Sequence, residues 1–378
     1  MNCRLQHWRE AATLLLAAGR PGRLPRPPLG RGDYEVLLLR RHSRSSFMPS
    51  AHVFPGGLVE AADFSADWLG LLPASPRCGL GPVRPPPPGS RRAPLFATDR
   101  QWLGSPLPGE VAFRICAIRE TFEEAGILLL VPGGGPAAGG GPAPPLPAER
   151  LPSAAELGEW RHRVQADPAC FLQLCRHLGC VPNIWALQEW SNWLTPVGRA
   201  GRGGRRYDTA FYLCCLEERP PHASQDDREV TALLWSSPAE AIERFKSQEI
   251  WFAPPQFYEL CRLCNFSSLH ELHKFSSDRA LEGCEQWMPV VLTASNGYIH
   301  LLPGDELYPE DPDYTGEKKI IMSTDKKVED IMKEGSVFHR IVTKNINNLA
   351  VYVNIPPKYK HINPLMINSD WAGYNSRL

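Results

Sequence analysis

Three glutamates near the middle of the chain have a spacing that suits metal binding. Glu120, Glu123 and Glu124 lie at positions i, i+3 and i+4, so on a helix they share one face. Arg119 is their near basic partner. Clustered carboxylates repel one another unless a further cation joins them, and hard oxygen ligands of this kind suit Mg²⁺ or Mn²⁺. We therefore take these four residues as candidate catalytic residues and the three glutamates as candidate metal ligands.

The element that positions these acids is predicted to be an amphipathic helix. Apolar residues recur at helical spacing and would bury the opposite face, namely Val111, Ile115, Ile118, Phe122 and Ala125. Gly126 stands where such a helix would end. Taken alone, the pattern also fits an ordinary helix with an acidic outer face, so the wider sequence must decide between the two.

A longer motif surrounds the acids. The stretch from Arg119 to Ile127 reads Arg-Glu-x-x-Glu-Glu-x-Gly and an apolar residue, and Phe54-Pro55-Gly56-Gly57 stands upstream of it. These segments resemble the two halves of the Nudix box, and the chain is similar to Nudix hydrolases over about residues 10–265. The resemblance implies an α/β fold, the Nudix α/β/α sandwich with a mixed sheet, and an enzyme that cuts a diphosphate with the help of a divalent metal.

The resemblance also implies roles for single side chains. Glu120 and Glu124 would be direct ligands of Mg²⁺ or Mn²⁺, with Glu123 a third ligand or an outer partner. Arg119 would hold Glu123 ionised and correctly aimed through an i, i+4 contact. The pair Gly56-Gly57 would let the backbone turn tightly near the metal.

One part of the box departs from the usual pattern. In the usual box a glycine is followed by five residues, an acid, seven further residues and Arg-Glu. Here the residue in the place of the acid, with seven residues between it and Arg119, is Val111. We interpret Gly57 as separated from the helix by a long insertion, and Glu110, one residue before Val111, as a candidate for the first acid. The general base would be Glu110, Glu123 or an acid of the loop around Glu229.

Substrate choice lies outside the box. The segment Leu38-Leu39-Arg40-Arg41, before the Phe-Pro-Gly-Gly turn, resembles part of a motif of Nudix enzymes that act on coenzyme A. That resemblance implies hydrolysis of coenzyme A or acyl-coenzyme A to 3′,5′-ADP and (acyl-)4′-phosphopantetheine. Arg40, Arg41 or Arg206 would then bind the 3′-phosphate, because planar guanidinium groups suit phosphate oxygens. The alternatives are an NADH or ADP-ribose diphosphatase, an RNA-cap hydrolase, and a Nudix domain that only binds its ligand.

The composition narrows these possibilities. The 378 residues include 41 basic and 41 acidic side chains, and the zero net charge argues against a nucleic-acid partner held by phosphate neutralisation. The 11 cysteines are odd in number and mostly embedded in apolar runs, and no secretory signal opens the chain, so we expect reduced thiols in an intracellular compartment. No apolar run is long enough to span a bilayer, so no membrane span is expected.

Two segments could direct the protein to a compartment. The C-terminal tripeptide Ser376-Arg377-Leu378 is close to the Ser-Lys-Leu peroxisomal signal, and predicts binding to the peroxisomal import receptor. The alternative is a mitochondrial presequence, because the first 26 residues carry five arginines and one acid. We favour the peroxisome, since residues 11–18 fit the first strand of the fold better than a presequence.

Two parts of unequal size are predicted. Residues 10–265 form the Nudix domain, with insertions at about 64–108 and 132–153, and residues 266–378 form a small α+β extension. Strands are expected at 10–19, 34–41 and 127–131, a helix over 154–179, and a hairpin at Asn296-Gly297. Trp185 and Trp193 could stack on adenine, but rows of tryptophan more often belong to a core.

Overall fold

The computed structural model describes most of the chain. The described residues are 8–20, 32–46, 48–73, 80, 105–133, 142–144, 146, 150–196, 206–314, 322–345 and 347–366. The predicted signal Ser376-Arg377-Leu378 lies outside these ranges, as does much of the first predicted insertion.

Ten strands precede residue 288 among the described residues. They are β1 (Arg9–Gly19), β2 (Tyr34–Arg41), β3 (His52–Val53), β4 (Gly56–Leu58), β5 (Leu130–Pro132), β6 (Cys180–Pro182), β7 (Leu187–Leu194), β8 (Tyr207–Leu216), β9 (Val230–Ser236) and β10 (Gln286–Trp287). Eight of them form a mixed sheet in the order β10-β7-β8-β1-β2-β3, with β4 paired to β1 and β9 paired to β2. Strands β1 and β8 are parallel, whereas β1 and β2 are antiparallel. The predicted strands at 10–19 and 34–41 are thus confirmed.

Helices cover both faces of this sheet. One face carries α1 (Gly109–Ala125), α2 (Ala154–Ala166) and α3 (Cys170–Leu178), and the other carries α4 (Pro238–Lys246), α5 (Pro254–Leu263) and α6 (Leu269–Asp278). Strand β1 is buried on both sides, with Leu14 and Leu16 in the core under α1 and Leu15 and Ala17 in the opposite core. Strands buried on both faces read as continuous apolar runs, as β1 does. The predicted α/β/α sandwich with a mixed sheet is confirmed.

Two sequence-based boundaries were wrong. The predicted helix over 154–179 is two helices, α2 and α3, because Pro168 follows the end of α2 and cannot continue a helix. The predicted strand at 127–131 is shorter, since β5 begins at Leu130, and among the described residues it pairs with β6 alone. Of the two predicted tryptophans, Trp185 precedes β7 and is half-buried against the core, whereas Trp193 on β7 is buried. Trp193 and its neighbour Trp190 donate their Nε1 hydrogens to Glu259 of α5. This row belongs to the core.

The C-terminal part forms a second sheet. Its strands are β11 (Val290–Ala294), β12 (Gly297–Leu301), β13 (Met322–Ser323), β14 (His339–Asn345) and β15 (Asn348–Val353), with one helix, α7 (Val328–Glu334). The order is β13-β11-β12-β14-β15, and β11 and β12 form the predicted hairpin at Asn296-Gly297. The division of the chain near residue 265 stays a prediction. Within the described residues, no helix is long and apolar enough to cross a membrane.

Candidate active site

Helix α1 presents the three glutamates in the way their spacing predicts. Its apolar face is fully buried, with Val111, Ile115, Ile118, Phe122 and Ala125 each 0% exposed. The helix ends at Gly126, which adopts the left-handed conformation at φ +69° and donates its N–H to Phe122 O. Glycine adopts this conformation without the steric cost that a β-carbon brings.

Strand β4 lies directly against the acidic face of α1. Gly56 pairs with Thr13 of β1 and donates its N–H to Glu124 Oε2 at 2.8 Å. A β-carbon on Gly57 would lie 2.5 Å from Cδ of Glu120, so no larger residue fits there without moving that carboxylate. The two glycines therefore bring the upstream turn into contact with the helix, as the motif implied.

A buried ion pair joins the two segments further along. Arg119 donates from Nε to Asp63 Oδ1 at 2.8 Å and from Nη2 to Asp63 Oδ2 at 2.9 Å, and both residues are 1% exposed. Its Nη1 donates to Glu123 Oε1 at 2.6 Å and to Glu120 Oε1 at 2.9 Å. The predicted i, i+4 contact between Arg119 and Glu123 is confirmed. A single guanidinium fork thus aims two glutamates and is itself fixed by an acid that the sequence analysis missed.

Asp63 replaces Glu110 as the first acid of the box. Five residues separate Gly57 from Asp63, so the first half of the box is continuous and the insertion begins only after it. Glu110 lies in the first turn of α1, ten residues before Glu120, which is about 15 Å along a helix axis at 1.5 Å per residue. The interpretation of Glu110 as the first acid was wrong, because the insertion lies between the first acid and the helix, and seven residues counted back from Arg119 never leave α1. Counting forward from Gly57 would have found Asp63.

Burial makes the acidic cluster electrostatically costly. It raises the pKa of Glu120 to about 8, and the charges of Glu123 and Asp63 add to the rise while Arg119 opposes it. Burial also raises the pKa of Glu123, and raises that of Glu124 well above its usual range with a further contribution from Glu120. The charges of Arg119 and Arg41 oppose these rises in pKa without cancelling them, so the cluster would gain from an additional cation.

The glutamates do not yet converge on one point. Within the described ranges, no group of three or more His, Cys, Asp or Glu side chains has an arrangement that could hold a metal ion. The physical reason is that Glu123 is turned to Arg119 and Glu124 accepts a hydrogen bond from Gly56.

The predicted substrate arginines occupy three different places. Arg41 lies on the α1 side, where its charge lowers the pKa of Glu124. Arg40 points to the opposite face of β2, since neighbouring strand residues alternate, and there its charge adds to burial in lowering the pKa of His52. Arg206 lies over the ring of Trp8 at 5.3 Å, near the start of β1. The structure brings only Arg41 close to the acids.

The loop between β8 and β9, residues 217–229, closes one side of the site. Glu229 at its end is exposed, and its charge raises the pKa of both Glu123 and Glu124. Ser224 in its middle donates its backbone N–H to Ala125 O at 3.0 Å, at the end of α1. The acid near Glu229 that the sequence proposed as a base therefore lies beside the cluster.

Helix α2 supports the end of α1 with side chains that sequence analysis did not single out. Arg161 Nε donates to Glu123 O at 2.8 Å, and Gln165 Nε2 donates to the same oxygen at 2.9 Å. Arg161 also donates to Ser224 Oγ at 3.2 Å. These bonds fix the turn that carries Glu123 and Glu124, and no motif marks them, because they join residues about 40 positions apart.

Comparisons with family models and with known proteins identify the same family. The family model described as "NUDT19 Nudix domain" matches residues 8–263, and the one described as "NUDT19 C-terminal domain" matches residues 291–354. The acyl-coenzyme A diphosphatase NUDT19 of Gallus gallus is 82% identical over 378 residues and covers 100% of both chains. The protein of the same name from Homo sapiens is 52% identical over 369 residues, 94% of each chain, and that from Xenopus laevis is 48% identical over 98% of this chain and 99% of its own. The chain therefore belongs to the NUDT19 family of Nudix hydrolases.

Proposed function

We propose that this chain is an acyl-coenzyme A diphosphatase, hydrolysing coenzyme A and its acyl esters to 3′,5′-ADP and (acyl-)4′-phosphopantetheine. The observation that carries the proposal is the junction of the two halves of the box, where Asp63 binds Arg119 and Gly56 binds Glu124. The names of the relatives from chicken, human and frog support the choice of substrate.

We further propose that Glu120, Glu124 and Glu123 hold Mg²⁺ or Mn²⁺. Their carboxylate oxygens are the donors that these hard cations prefer. Burial and neighbouring carboxylates raise the pKa of all three, so a dication would offset a real electrostatic cost. When bound, such an ion would offset the charge on the diphosphate oxygens and make water a better nucleophile.

The protein's own groups would then position the substrate and move a proton. Arg119, held by Asp63, keeps Glu120 and Glu123 aimed. Arg41 is the arginine best placed to meet a phosphate oxygen, whereas binding of the 3′-phosphate by Arg40 or Arg206 stays a prediction. For the general base, Glu123 and the exposed Glu229 both border the cluster, and Glu110 does not.

The first experiment is turnover on a substrate panel with and without Mg²⁺ or Mn²⁺. Purified protein would be given coenzyme A, an acyl-coenzyme A, NADH, ADP-ribose and capped RNA. We expect release of 3′,5′-ADP from the coenzyme A substrates to be far the fastest, and to stop when the metal is chelated. Faster cleavage of NADH or ADP-ribose would show that the proposed substrate is wrong, while the proposed metal site would stand.

A matched pair of variants distinguishes an enzyme from a binding module. Glu124→Gln removes a proposed ligand, whereas Glu159→Gln removes an exposed charge from α2. We expect the first to lose turnover by about a hundredfold or more while remaining folded, and the second to keep it. Equal activity of the two variants would remove Glu124 from the mechanism, and a wild-type protein silent on every substrate would support the binding module.

We propose, finally, that Ser376-Arg377-Leu378 binds the peroxisomal import receptor. The support is the near match of this tripeptide to the Ser-Lys-Leu signal. The untagged full-length chain, located with an antibody, should gather in peroxisomes, and deletion of Leu378 should release it. Accumulation in mitochondria, dependent on the N-terminal arginines, would instead favour the presequence.

A further inference from the structure

Two side chains of α2 meet the end of the acid-bearing helix α1. The last four carbonyl groups of a helix have no partner within it, so other segments must satisfy them. Glu123 O accepts hydrogen bonds from Arg161 Nε at 2.8 Å and from Gln165 Nε2 at 2.9 Å. Ala125 O accepts one from Ser224 N at 3.0 Å, in the loop between β8 and β9. These two carbonyls at the end of α1 are therefore satisfied by α2 and by this loop together.

The same two side chains also hold the loop. Arg161 Nη1 donates to Ser224 Oγ and to Gln225 O, each at 3.2 Å. Gln165 Nε2 donates to Asp226 Oδ2 at 3.4 Å. A guanidinium can join two segments in this way because its planar fork holds several donors in fixed directions. Each side chain thus has one hydrogen bond on α1 and at least one on the loop, which lies 61–64 positions further along the chain.

The held part of the loop ends in an acid that borders the site. Asp226 Oδ1 accepts the backbone N–H groups of residues 228–230 at 2.8–3.2 Å, and these bonds fix the turn directly before β9. Glu229 lies in that turn and is exposed, and its charge acts on Glu123 and Glu124. The position of this carboxylate relative to the glutamates therefore depends on where Asp226 and its turn are held.

We propose that Arg161 and Gln165 are positioning residues of the reaction, which hold the loop acid Glu229 in its place beside the glutamates of α1. The inference rests on the proposed function, in which Glu123 and Glu124 hold the metal. Most of the loop is exposed, and a segment with few buried contacts opens at a low cost in free energy. The hydrogen bonds from α2 oppose that opening. Helix α2 therefore acts on the reaction from outside the box, without contact with the substrate.

The test is a double-mutant cycle between Arg161 and Glu229. Arg161→Met removes the donors and keeps a long side chain. With coenzyme A at saturating Mg²⁺, it should lower kcat by about tenfold or more and change KM by less than about twofold, because a side chain that orients a metal site is typically worth about 10–100-fold. In a Glu229→Gln background the same substitution should lower kcat by less than about threefold, since its route to the reaction is already removed. Activity is expressed per folded molecule, so that a loss of stability does not enter kcat.

Arg163→Met is the matched control on the same helix. Arg163 Nη2 donates to Gln173 Oε1 of α3 at 3.0 Å, so its loss should leave kcat unchanged. Gln165→Met is taken through the same cycle with a smaller expected loss, and serves if Arg161→Met does not fold.

Equal losses of kcat from Arg161→Met in the wild-type and Glu229→Gln backgrounds would overturn the inference, as would an unchanged kcat in either single variant. Cleavage of another diphosphate in place of coenzyme A would overturn the proposed substrate alone, and the cycle on that diphosphate would still decide the role of Arg161. A wild-type protein silent on every substrate would overturn the proposed function and this inference together.

Discussion

The contact between Asp63 and Arg119 is the most direct test of how the site is assembled. Asp63→Asn keeps the shape of the side chain and removes its charge. Two charge-assisted hydrogen bonds of 2.8 and 2.9 Å are weakened, at a place where both partners are 1% exposed. If the split box depends on this pair, both stability and metal dependence should change.

The expected magnitude follows from what Arg119 retains. Breaking a buried ion pair typically destabilises a protein by about 3–5 kcal/mol, because the remaining charge is left without a partner. Arg119 still contacts Glu120, Glu123 and Leu58 O, which places the loss near the lower limit, about 3 kcal/mol. Since an outer partner of a metal ligand is typically worth about 10–100-fold in metal affinity, the Mg²⁺ concentration for half-maximal turnover should rise by about that factor.

The assay combines urea unfolding with Mg²⁺ titration of turnover, and Glu110→Gln is the comparison variant. Glu110 was the sequence-based candidate for the same role, so the two assignments predict opposite results for the two variants. We expect the large shift in Mg²⁺ dependence in Asp63→Asn and little shift in Glu110→Gln. The reverse result, or unchanged metal dependence in Asp63→Asn, would refute the assignment of Asp63.

Three further predictions concern other parts of the molecule. In Gly57→Ala the new β-carbon would lie 2.5 Å from the flexible end of Glu120. Turnover should therefore fall by about a hundredfold with little change in melting temperature. Normal turnover would show that Glu120 does not need its present position. Glu259→Gln leaves buried Arg262 without its charged partner and should lower the free energy of unfolding by about 3–5 kcal/mol, measured in urea, with activity per folded molecule retained. Burial lowers the pKa of His339 from 6.5 to about 4, so below pH 6.5 the unfolded chain binds a proton that the folded chain does not. The free energy of unfolding should therefore fall by about 1.4 kcal/mol per pH unit as pH drops from 6.5 towards 4. His339→Gln should remove that part of the slope. An identical slope in the variant would contradict the lowered pKa of His339.

Sequence alone was sufficient for the features that depend on local periodicity. The helix of Glu120 and Glu124, its stop at Gly126 and its contact between Arg119 and Glu123 all involve residues within one or two turns. The strands of the sheet centre were also predictable, because apolar runs of that length are buried on both faces.

The remaining features depend on contacts between distant segments. Asp63 had the right spacing from Gly57, but only the fold shows that an arginine 56 positions later binds it. Arg161 and Gln165 reach the end of α1 from a helix whose own pattern predicts only a buried stripe. Pro168 was visible in the sequence, yet a continuous run of apolar spacing on both sides of it concealed the break.

Because Asp63 and Arg119 join the two halves of the Nudix box, the box is complete in the fold although its halves are far apart in the sequence. A box of this kind is divided along the chain and joined only in the fold. An alignment rule that requires the box as one uninterrupted string would miss such proteins, whereas a rule that scores its halves separately would recover them.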